Sequence, residues 1–149
     1  MIPLAYHGPR SALASRALFN ARLDSALRIA RFSAGELSVL AVALHASREA
    51  GDRLLREAAR RILDALRKSD TVALVGGQQF WALLPATGAA DAHGVAEKIR
   101  RALSGMEVSI GAATCPEDGV EAAELSRFAH WAMYWDRRSG RHRALRRVP

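Results

Sequence analysis

Apolar positions along the chain follow two spacings, and their alternation predicts helices separated by strands. Apolar residues recur three or four positions apart over about 11–32, which predicts an amphipathic helix that ends at Ala34-Gly35. The next run, over 37–44, is short and nearly all apolar, as expected for a central strand that is covered on both faces. Helical spacing returns over 48–67 and predicts a second long helix, which ends before Asp70.

Two short apolar runs in the middle of the chain, over 72–75 and 80–84, flank the pair Gly76-Gly77. A glycine pair between two strand-like runs is typical of a hairpin. The remaining predicted elements are a helix over 89–103, a strand over 108–112, a turn over 116–119 and a helix over 121–139. With helices between strands, the order αβαββαβα predicts an α/β sandwich rather than a helical bundle.

Length and composition fit one domain over 1–149, with an N-terminal extension over about 1–10 and a basic C-terminal tail over about 141–149. Half of the residues are hydrophobic, which argues against wholesale disorder. The single cysteine, Cys115, offers no intramolecular disulfide. The first residues lack the long apolar stretch of a signal peptide, and no run approaches the roughly 20 apolar residues of a membrane helix. We therefore expect a cytoplasmic protein without a membrane span.

The net charge of +7 is unevenly placed, because many of the arginines lie near the C-terminus. Such a tail could contact nucleic acid, an anionic membrane face, a phosphorylated ligand or an acidic partner. Charge alone fixes no geometry, so we rank a solvated, partly frayed end above these roles. Nucleic acid is not an expected partner.

Short motifs occur in a fixed order along nearly the whole chain. They are Leu13 with Arg16 and Phe19, Gly51-Asp52 with Leu54-Leu55, and the segments 75–85, 96–100, 109–111 and 132–134. From about Pro9 to Arg143 this series resembles the GGDEF, or diguanylate cyclase, domain family. The resemblance implies a palm-like α/β sandwich whose central sheet is mainly antiparallel and flanked by helices.

The turn Gly76, Gly77, Gln78, Gln79, Phe80 departs from the pattern of this family, which carries acidic residues at both glutamine positions. A carboxylate binds a divalent cation and can accept a proton, whereas a neutral amide does neither usefully at pH 7. The resemblance therefore implies a vestigial turn with no catalytic residue.

Two further departures concern the strand before this turn and the loop after it. Active relatives end the strand with an Asp that holds Mg²⁺, and its counterpart here is Ala43. The loop over 46–50 has no room for the family's phosphate-binding turn and its guanine-reading Asn. His45 has no cysteine or carboxylate at ligand spacing and does not restore a metal site. We expect no metal, no cofactor and no cyclase activity, with retained activity as a weaker alternative.

Three residues match a vestigial substrate site. Asp52 corresponds to a guanine-contacting Asp of the family, and Arg137 and Arg141 resemble basic residues that contact substrate phosphates in active members. Each also has a structural interpretation. Asp52 would lie in the first turn of a helix, where the helix dipole favours an acid, and the two arginines would be surface charge. We favour the structural interpretation for all three.

The tetrad from Arg67 to Asp70 is an RxxD motif, and the resemblance places the family's inhibitory cyclic di-GMP site there. An Arg guanidinium can grip a guanine edge or a phosphate, and an Asp can accept from guanine N–H groups. We expect both side chains to face outward beside the start of a strand. Lys98 falls where relatives carry an Arg from a second inhibitory surface. The alternative is that Arg67 and Asp70 only terminate a helix, and the two interpretations stay even.

Two classes of function follow from these residues. In the first, an inactive domain acts as a cyclic di-GMP receptor through Arg67 and Asp70, and it signals to a protein partner or through a homodimer. In the second, the domain is a nucleotide-independent interaction or dimerisation scaffold. Trp131 and Trp135, four residues apart on the last helix, share a face and are typical of a core or an interface, with Tyr134 beside them.

Overall fold

The computed structural model describes residues 13–139, which form an α/β fold of the predicted class. In chain order the elements are β1 (Leu13–Ala14), α1 (Arg16–Ser33), β2 (Leu37–Leu44), α2 (Gly51–Ala65), β3 (Thr71–Gly76), β4 (Gln79–Pro85), α3 (Ala89–Ala102), β5 (Val108–Cys115) and α4 (Ala122–Ser139). The predicted N-terminal extension and basic C-terminal tail, with Arg141, lie outside the described residues.

The strands form one sheet in the order β1-β3-β4-β2-β5, and every pair except β1 with β3 is antiparallel. This confirms the mainly antiparallel sheet. All eight residues of β2 are buried, as its apolar run predicts. The middle position nevertheless belongs to β4, so the prediction that β2 is the central strand is wrong by one place. Strand order depends on pairing between distant segments, which local hydrophobic spacing does not report.

The sequence pattern does not predict β1, because two residues are too few to show a strand period. Leu13 pairs with Val72 and Ala14 with Ala73. The first helix then begins at Arg16, since Ser15 is its N-cap and accepts a hydrogen bond from the backbone N–H of Leu18 at 3.0 Å. The predicted helix start at about residue 11 is therefore too early.

Helices cover both faces of the sheet, and alternate residues of β2 enter the two cores. Val39 and Ala41 pack with the layer formed by α1 and α4. Leu40 and Val42 pack with the layer formed by α2 and α3. This two-sided burial explains why β2 reads as a continuous apolar run rather than as an alternating one.

The helix α4 lies directly on β5 at Gly111. A Cβ atom at this position would lie 2.2 Å from both the Ala129 carbonyl oxygen and the Met133 backbone nitrogen. Only glycine permits this close approach of helix to strand. Farther along α4, the buried carboxylate of Asp136 accepts from the Ile110 N–H at 2.8 Å, which fixes the helix against the same strand.

Within residues 13–139, none of the helices is both long enough and apolar enough to span a lipid bilayer.

Candidate functional site

The turn between β3 and β4 lies at one end of the sheet and has the predicted hairpin geometry. Gly76 and Gly77 have φ angles of 138° and 52°, a region that L side chains adopt only under strain. The pairing of the two strands shifts register between Leu74 and Gly76. Phe80 points into the core and is 1% exposed, whereas Gln78 is half-buried next to the end of β2.

The carboxamide of Gln78 is hydrogen-bonded to the loop that follows β2. Its Oε1 accepts from the Ala46 N–H at 3.0 Å, and its Nε2 donates to the Ala46 carbonyl at 3.5 Å. The backbone carbonyl of Gln78 also accepts from the Leu44 N–H at 2.8 Å. A Cβ atom on Gly51 would lie 3.0 Å from Nε2, so the start of α2 packs against the amide. Gln78 therefore holds the short loop against the hairpin.

Neither position at which the family resemblance implies a metal-binding acid carries a carboxylate. Ala43 pairs with Gln79 across the sheet and is 6% exposed, and the turn position is Gln78. Over residues 13–139 there is no group of three or more His, Cys, Asp or Glu side chains that could hold a metal ion. The residues at this end of the sheet do not fit Mg²⁺, which takes carboxylate oxygens in such sites.

His45 lies beside the turn and is held by two neighbours. Its Nε2 is 2.6 Å from the Ser109 hydroxyl, and its Nδ1 is 2.9 Å from Nη1 of Arg137. Because the guanidinium can only donate, Nδ1 accepts and Nε2–H donates to Ser109, which describes a neutral ring. Burial and the charge of Arg137 lower the pKa of His45. These contacts give the histidine a structural role.

Two of the three residues predicted as a vestigial substrate site, Asp52 and Arg137, belong to the described residues and lie on different helices. Asp52 is exposed in the first turn of α2, which is the structural position predicted for it. Arg137 reaches His45 from α4. A cavity of about 360 Å³ opens beside Arg137, and its lining includes the basic side chains of Arg100 and Arg137 and the acidic side chains of Glu107 and Asp136. This mixture of acidic and basic side chains differs from the mainly basic lining that a polyphosphate pocket requires.

Arg67 and Asp70 form an ion pair between α2 and β3, at the end of the sheet opposite to the Gly-Gly turn. Nη2 of Arg67 donates to Oδ1 of Asp70 at 2.9 Å and to the Thr87 hydroxyl at 3.0 Å. It also donates to the carbonyl of Pro85 at 3.1 Å. The side chain of Asp70 raises the pKa of Arg67. Together these contacts give the guanidinium one defined orientation.

The expectation that both side chains face outward is wrong for Asp70. The Arg67 side chain is 57% exposed, but that of Asp70 is only 1% exposed. The reason is local, because Oδ2 of Asp70 accepts from the backbone N–H of Arg67 at 2.9 Å, and this bond turns the carboxylate back over the chain. Asp70 thus closes the turn after α2 and positions Arg67.

Lys98 is exposed on α3. Asp91, in the first turn of α3, is close enough to help raise the pKa of Arg67. Residues seven apart on a helix share a face and lie about 10 Å apart along its axis. Lys98 therefore lies on the same face of α3 as Asp91, about 10 Å farther along the helix.

Sequence reasoning missed a buried polar cluster that supports this end of the sheet. The Ser38 hydroxyl is 2.9 Å from the Thr87 carbonyl and 2.7 Å from the Thr114 hydroxyl. All three residues are buried. Ser38 interrupts an otherwise apolar run, which is the one signal that could have revealed it. The cluster fixes Thr87, a hydrogen-bond partner of Arg67.

The aromatic residues of α4 form a stripe, which we call the aromatic stripe: Phe128, Trp131, Tyr134 and Trp135. Phe128 is partly buried against the core, and the other three are exposed. Trp131 and Trp135 are each 40% exposed and Tyr134 is 52% exposed. Neighbouring rings meet edge to face, with centroids 5.6 to 6.3 Å apart. The tryptophans are therefore surface residues and not core residues, and their part in an interface stays a prediction.

Comparison with known proteins agrees with this architecture. The family model described as "Diguanylate cyclase, GGDEF domain" matches residues 5–143. The chain belongs to the GGDEF domain family. The Gly-Gly turn, the five-stranded sheet and the four helices are thus the GGDEF fold, as the sequence motifs predict.

Two curated relatives from Pseudomonas aeruginosa are similar to this chain over part of their own length. The diguanylate cyclase TpbB is 36% identical over 92% of this chain and 36% of its own length. The bifunctional diguanylate cyclase/cyclic di-GMP phosphodiesterase MucR is 33% identical over 95% of this chain and 23% of its own length. The chain therefore spans about a third or less of these relatives.

Solved GGDEF domains superpose on the structure. The crystal structure of the TpbB GGDEF domain from Pseudomonas aeruginosa has a TM-score of 0.79 at 35% identity and covers 87% of this chain and 93% of that one. The GGDEF domain of DgcB from Caulobacter crescentus, in complex with c-di-GMP, has a TM-score of 0.76 at 23% identity, with 88% and 89% covered. At 23% identity, the similarity to the DgcB domain shows a shared fold and no more.

Proposed function

We propose that this chain is a GGDEF domain without cyclase activity that acts as a cyclic di-GMP receptor through Arg67. The observation that carries the first half is the pairing of the Gln78 amide with Ala46. The observation that carries the second half is the exposed, oriented guanidinium of Arg67. The two halves concern opposite ends of the sheet, and each has its own test.

The proposal of inactivity rests on the chemistry of the turn. Phosphoryl transfer in nucleotide enzymes depends on cations that bridge and neutralise phosphate oxygens. Ala43 has no side-chain ligand, and Oε1 of Gln78 already accepts a backbone hydrogen bond. A neutral amide in that bond cannot replace two carboxylates as the anchor of a divalent cation.

The proposal of a receptor rests on the surface around Arg67. Nη2 is held by three acceptors, and more than half of the side chain remains exposed. A guanidinium that is already oriented loses less conformational entropy when it binds a guanine edge or a phosphate. DgcB, a solved relative of the same fold, is described in complex with c-di-GMP. In this chain Arg67 and Lys98 would contact the ligand, while Asp70 would position Arg67 from beneath.

The test of the receptor is calorimetric titration of cyclic di-GMP into the protein and two variants. Arg67→Ala removes the proposed contact, and we expect it to weaken binding at least tenfold. Arg60→Ala is the matched control, since its side chain is 51% exposed and also paired with acids, but it lies within α2. We expect Arg60→Ala to bind like the parent protein. Absence of binding to the parent, or equal losses in both variants, contradicts the proposed site.

The test of inactivity is incubation with GTP and either Mg²⁺ or Mn²⁺. We expect no cyclic di-GMP above a control without protein. Product formation that depends on the protein would overturn this half of the proposal and leave the other standing.

A second candidate function is that of a nucleotide-independent interaction scaffold. The aromatic stripe on α4 favours it, because large apolar side chains that are exposed side by side mark interaction surfaces. If cyclic di-GMP produces neither heat nor a thermal shift, the scaffold becomes the leading proposal and the RxxD motif is a turn that ends α2.

A further inference from the structure

The aromatic stripe has an orderly pattern of charges around it. Trp131 lies midway along the exposed face of α4, with Glu124 seven residues before it and Arg138 seven residues after it. Seven residues are close to two helical turns, so these three side chains lie on one line along the helix. The charged ends are about 10 Å from Trp131 on either side, by the rise of the helix. One end of the face is therefore acidic and the other basic.

Intermediate positions continue the pattern with matching partners. Arg127 and Trp135 lie four residues before and after Trp131, and Phe128 and Tyr134 lie three residues before and after it. When a helix pairs antiparallel to its own copy about Trp131, a residue that precedes Trp131 in one copy meets the residue that follows Trp131 by the same number of positions in the other copy. Arg127 would thus meet an indole ring, and Phe128 would meet a phenol ring, both favourable contacts. Glu124 would meet Arg138 at both ends.

We propose that two copies of this chain associate through antiparallel α4 helices, with the two-fold axis at Trp131. Such an interface is isologous, so each complementary pair occurs twice. The pattern supports a second copy over an unrelated partner because the same face supplies both halves of each pair. The proposal does not depend on cyclic di-GMP binding, since Arg67 lies at an end of the sheet and not on this face.

The surface beside the stripe has space for the rings of a partner. A depression of about 550 Å³ lies next to the first half of α4 and is lined by Val120, Arg127, Phe128 and Trp131, among others. In the antiparallel arrangement this depression faces Trp135 of the second copy. The rings of the stripe already hold one another edge to face, so few rotamers are lost on association.

The size of the face sets the expected affinity. One pair of helices buries less surface than a standard-sized protein interface, so we expect a reversible dimer with a dissociation constant on the order of 10 μM. Sedimentation equilibrium of the whole chain, from about 1 to about 300 μM, covers both species at such an affinity. The parent protein should pass from monomer to dimer over this range.

Charge exchange tests the arrangement. In Glu124→Arg two arginines would meet at each end of the interface, and in Arg138→Glu two glutamates would meet, so each variant alone should dimerise at least tenfold more weakly. An equimolar mixture of the two variants restores opposite charges at both ends and should form a heterodimer. Glu124 also accepts hydrogen bonds from the N–H groups of Val120 and Glu121, so Glu124→Arg can lower the stability of the fold by itself. The rescue by the mixture distinguishes loss of a specific interface from such a loss of stability.

Two more variants test the centre of the interface and a site outside it. Trp131→Asp places two carboxylates at the axis and should abolish the dimer. Phe32→Asp is the control for non-specific hydrophobic association, because Phe32 is 90% exposed on α1 outside the stripe. This variant should dimerise like the parent. A parent protein that stays monomeric over the whole range overturns the proposal. So does a dimer that survives Trp131→Asp, or a mixture of the charge variants that fails to associate.

Discussion

The contact of Gly111 with α4 can be tested by adding one methyl group. In Gly111→Ala the new Cβ would lie 2.2 Å from the Ala129 oxygen and the Met133 nitrogen, whereas ordinary contact begins at 3.4 Å. Both are backbone atoms, so no side-chain rotation relieves the overlap and the helix must withdraw by about 1 Å. Because α4 makes extensive contact with β5, this shift disturbs much of one core layer.

We expect Gly111→Ala to lower the free energy of unfolding by about 3 kcal/mol, at the upper end of the cost of overpacking. In a domain of this length that corresponds to a fall in Tm of roughly 10 °C. The matched control is Gly94→Ala within α3, where a Cβ would meet nothing within 4 Å. There the same change should stabilise the protein by about 0.5–1 kcal/mol, because alanine restricts the unfolded chain and favours helix.

Urea denaturation followed by circular dichroism and tryptophan fluorescence measures both variants. A Gly111→Ala protein within about 0.5 kcal/mol of the parent would refute the argument, because the measured approach of α4 to β5 would then carry no energetic consequence. A loss of similar size in Gly94→Ala would also count against it, since the effect would then follow from the chemistry of the change and not from its place.

Three further predictions concern the polar contacts. Burial and the neighbouring Arg137 lower the pKa of His45 in the folded protein. The stability that the neutral ring contributes is therefore present above the ordinary pKa of histidine and is lost as the pH falls below it. Between about pH 7.5 and 5.5, Tm should fall less in His45→Gln than in the parent. Gln78→Ala removes both bonds to Ala46 and should cost about 1–2 kcal/mol in urea denaturation, and an unchanged midpoint would contradict the described role of the amide. Asp136→Ala removes the buried carboxylate that accepts from Arg100 and from the Ile110 N–H, and we expect a loss of about 3 kcal/mol in the free energy of unfolding. A loss below about 1 kcal/mol would show that these contacts do not fix α4.

Local patterns in the sequence predict most of the elements of this fold. The buried run of β2 and the glycine pair of the hairpin appear in the structure at the predicted places. Apart from the missed strand β1 and the place of β2 in the sheet, the main errors are at helix starts, because a start depends on specific capping contacts. Ser15 begins α1 later than the spacing suggests, and α2 begins at Gly51 instead of at about 48, after the loop that Gln78 holds.

The candidate sites were harder to predict, because they depend on contacts between distant residues. The RxxD motif is visible in the sequence, but the orientation of Asp70 depends on the backbone N–H of Arg67 and on the place of that guanidinium beside Thr87. The tryptophans of α4 could have been core or surface. They are on the surface because Leu125 and Ala129 already occupy the buried face of that helix.

The Gly-Gly turn and the Arg67–Asp70 pair lie at opposite ends of β4. Seven residues of extended strand separate them by about 20 Å, which is well beyond the range of roughly 10 Å over which mutational free energies usually couple. Substitutions can therefore accumulate at one end without altering the geometry of the other. The sheet works as a spacer between two independently evolvable surfaces, and a domain built on it can exchange one role for another while its framework stays the same.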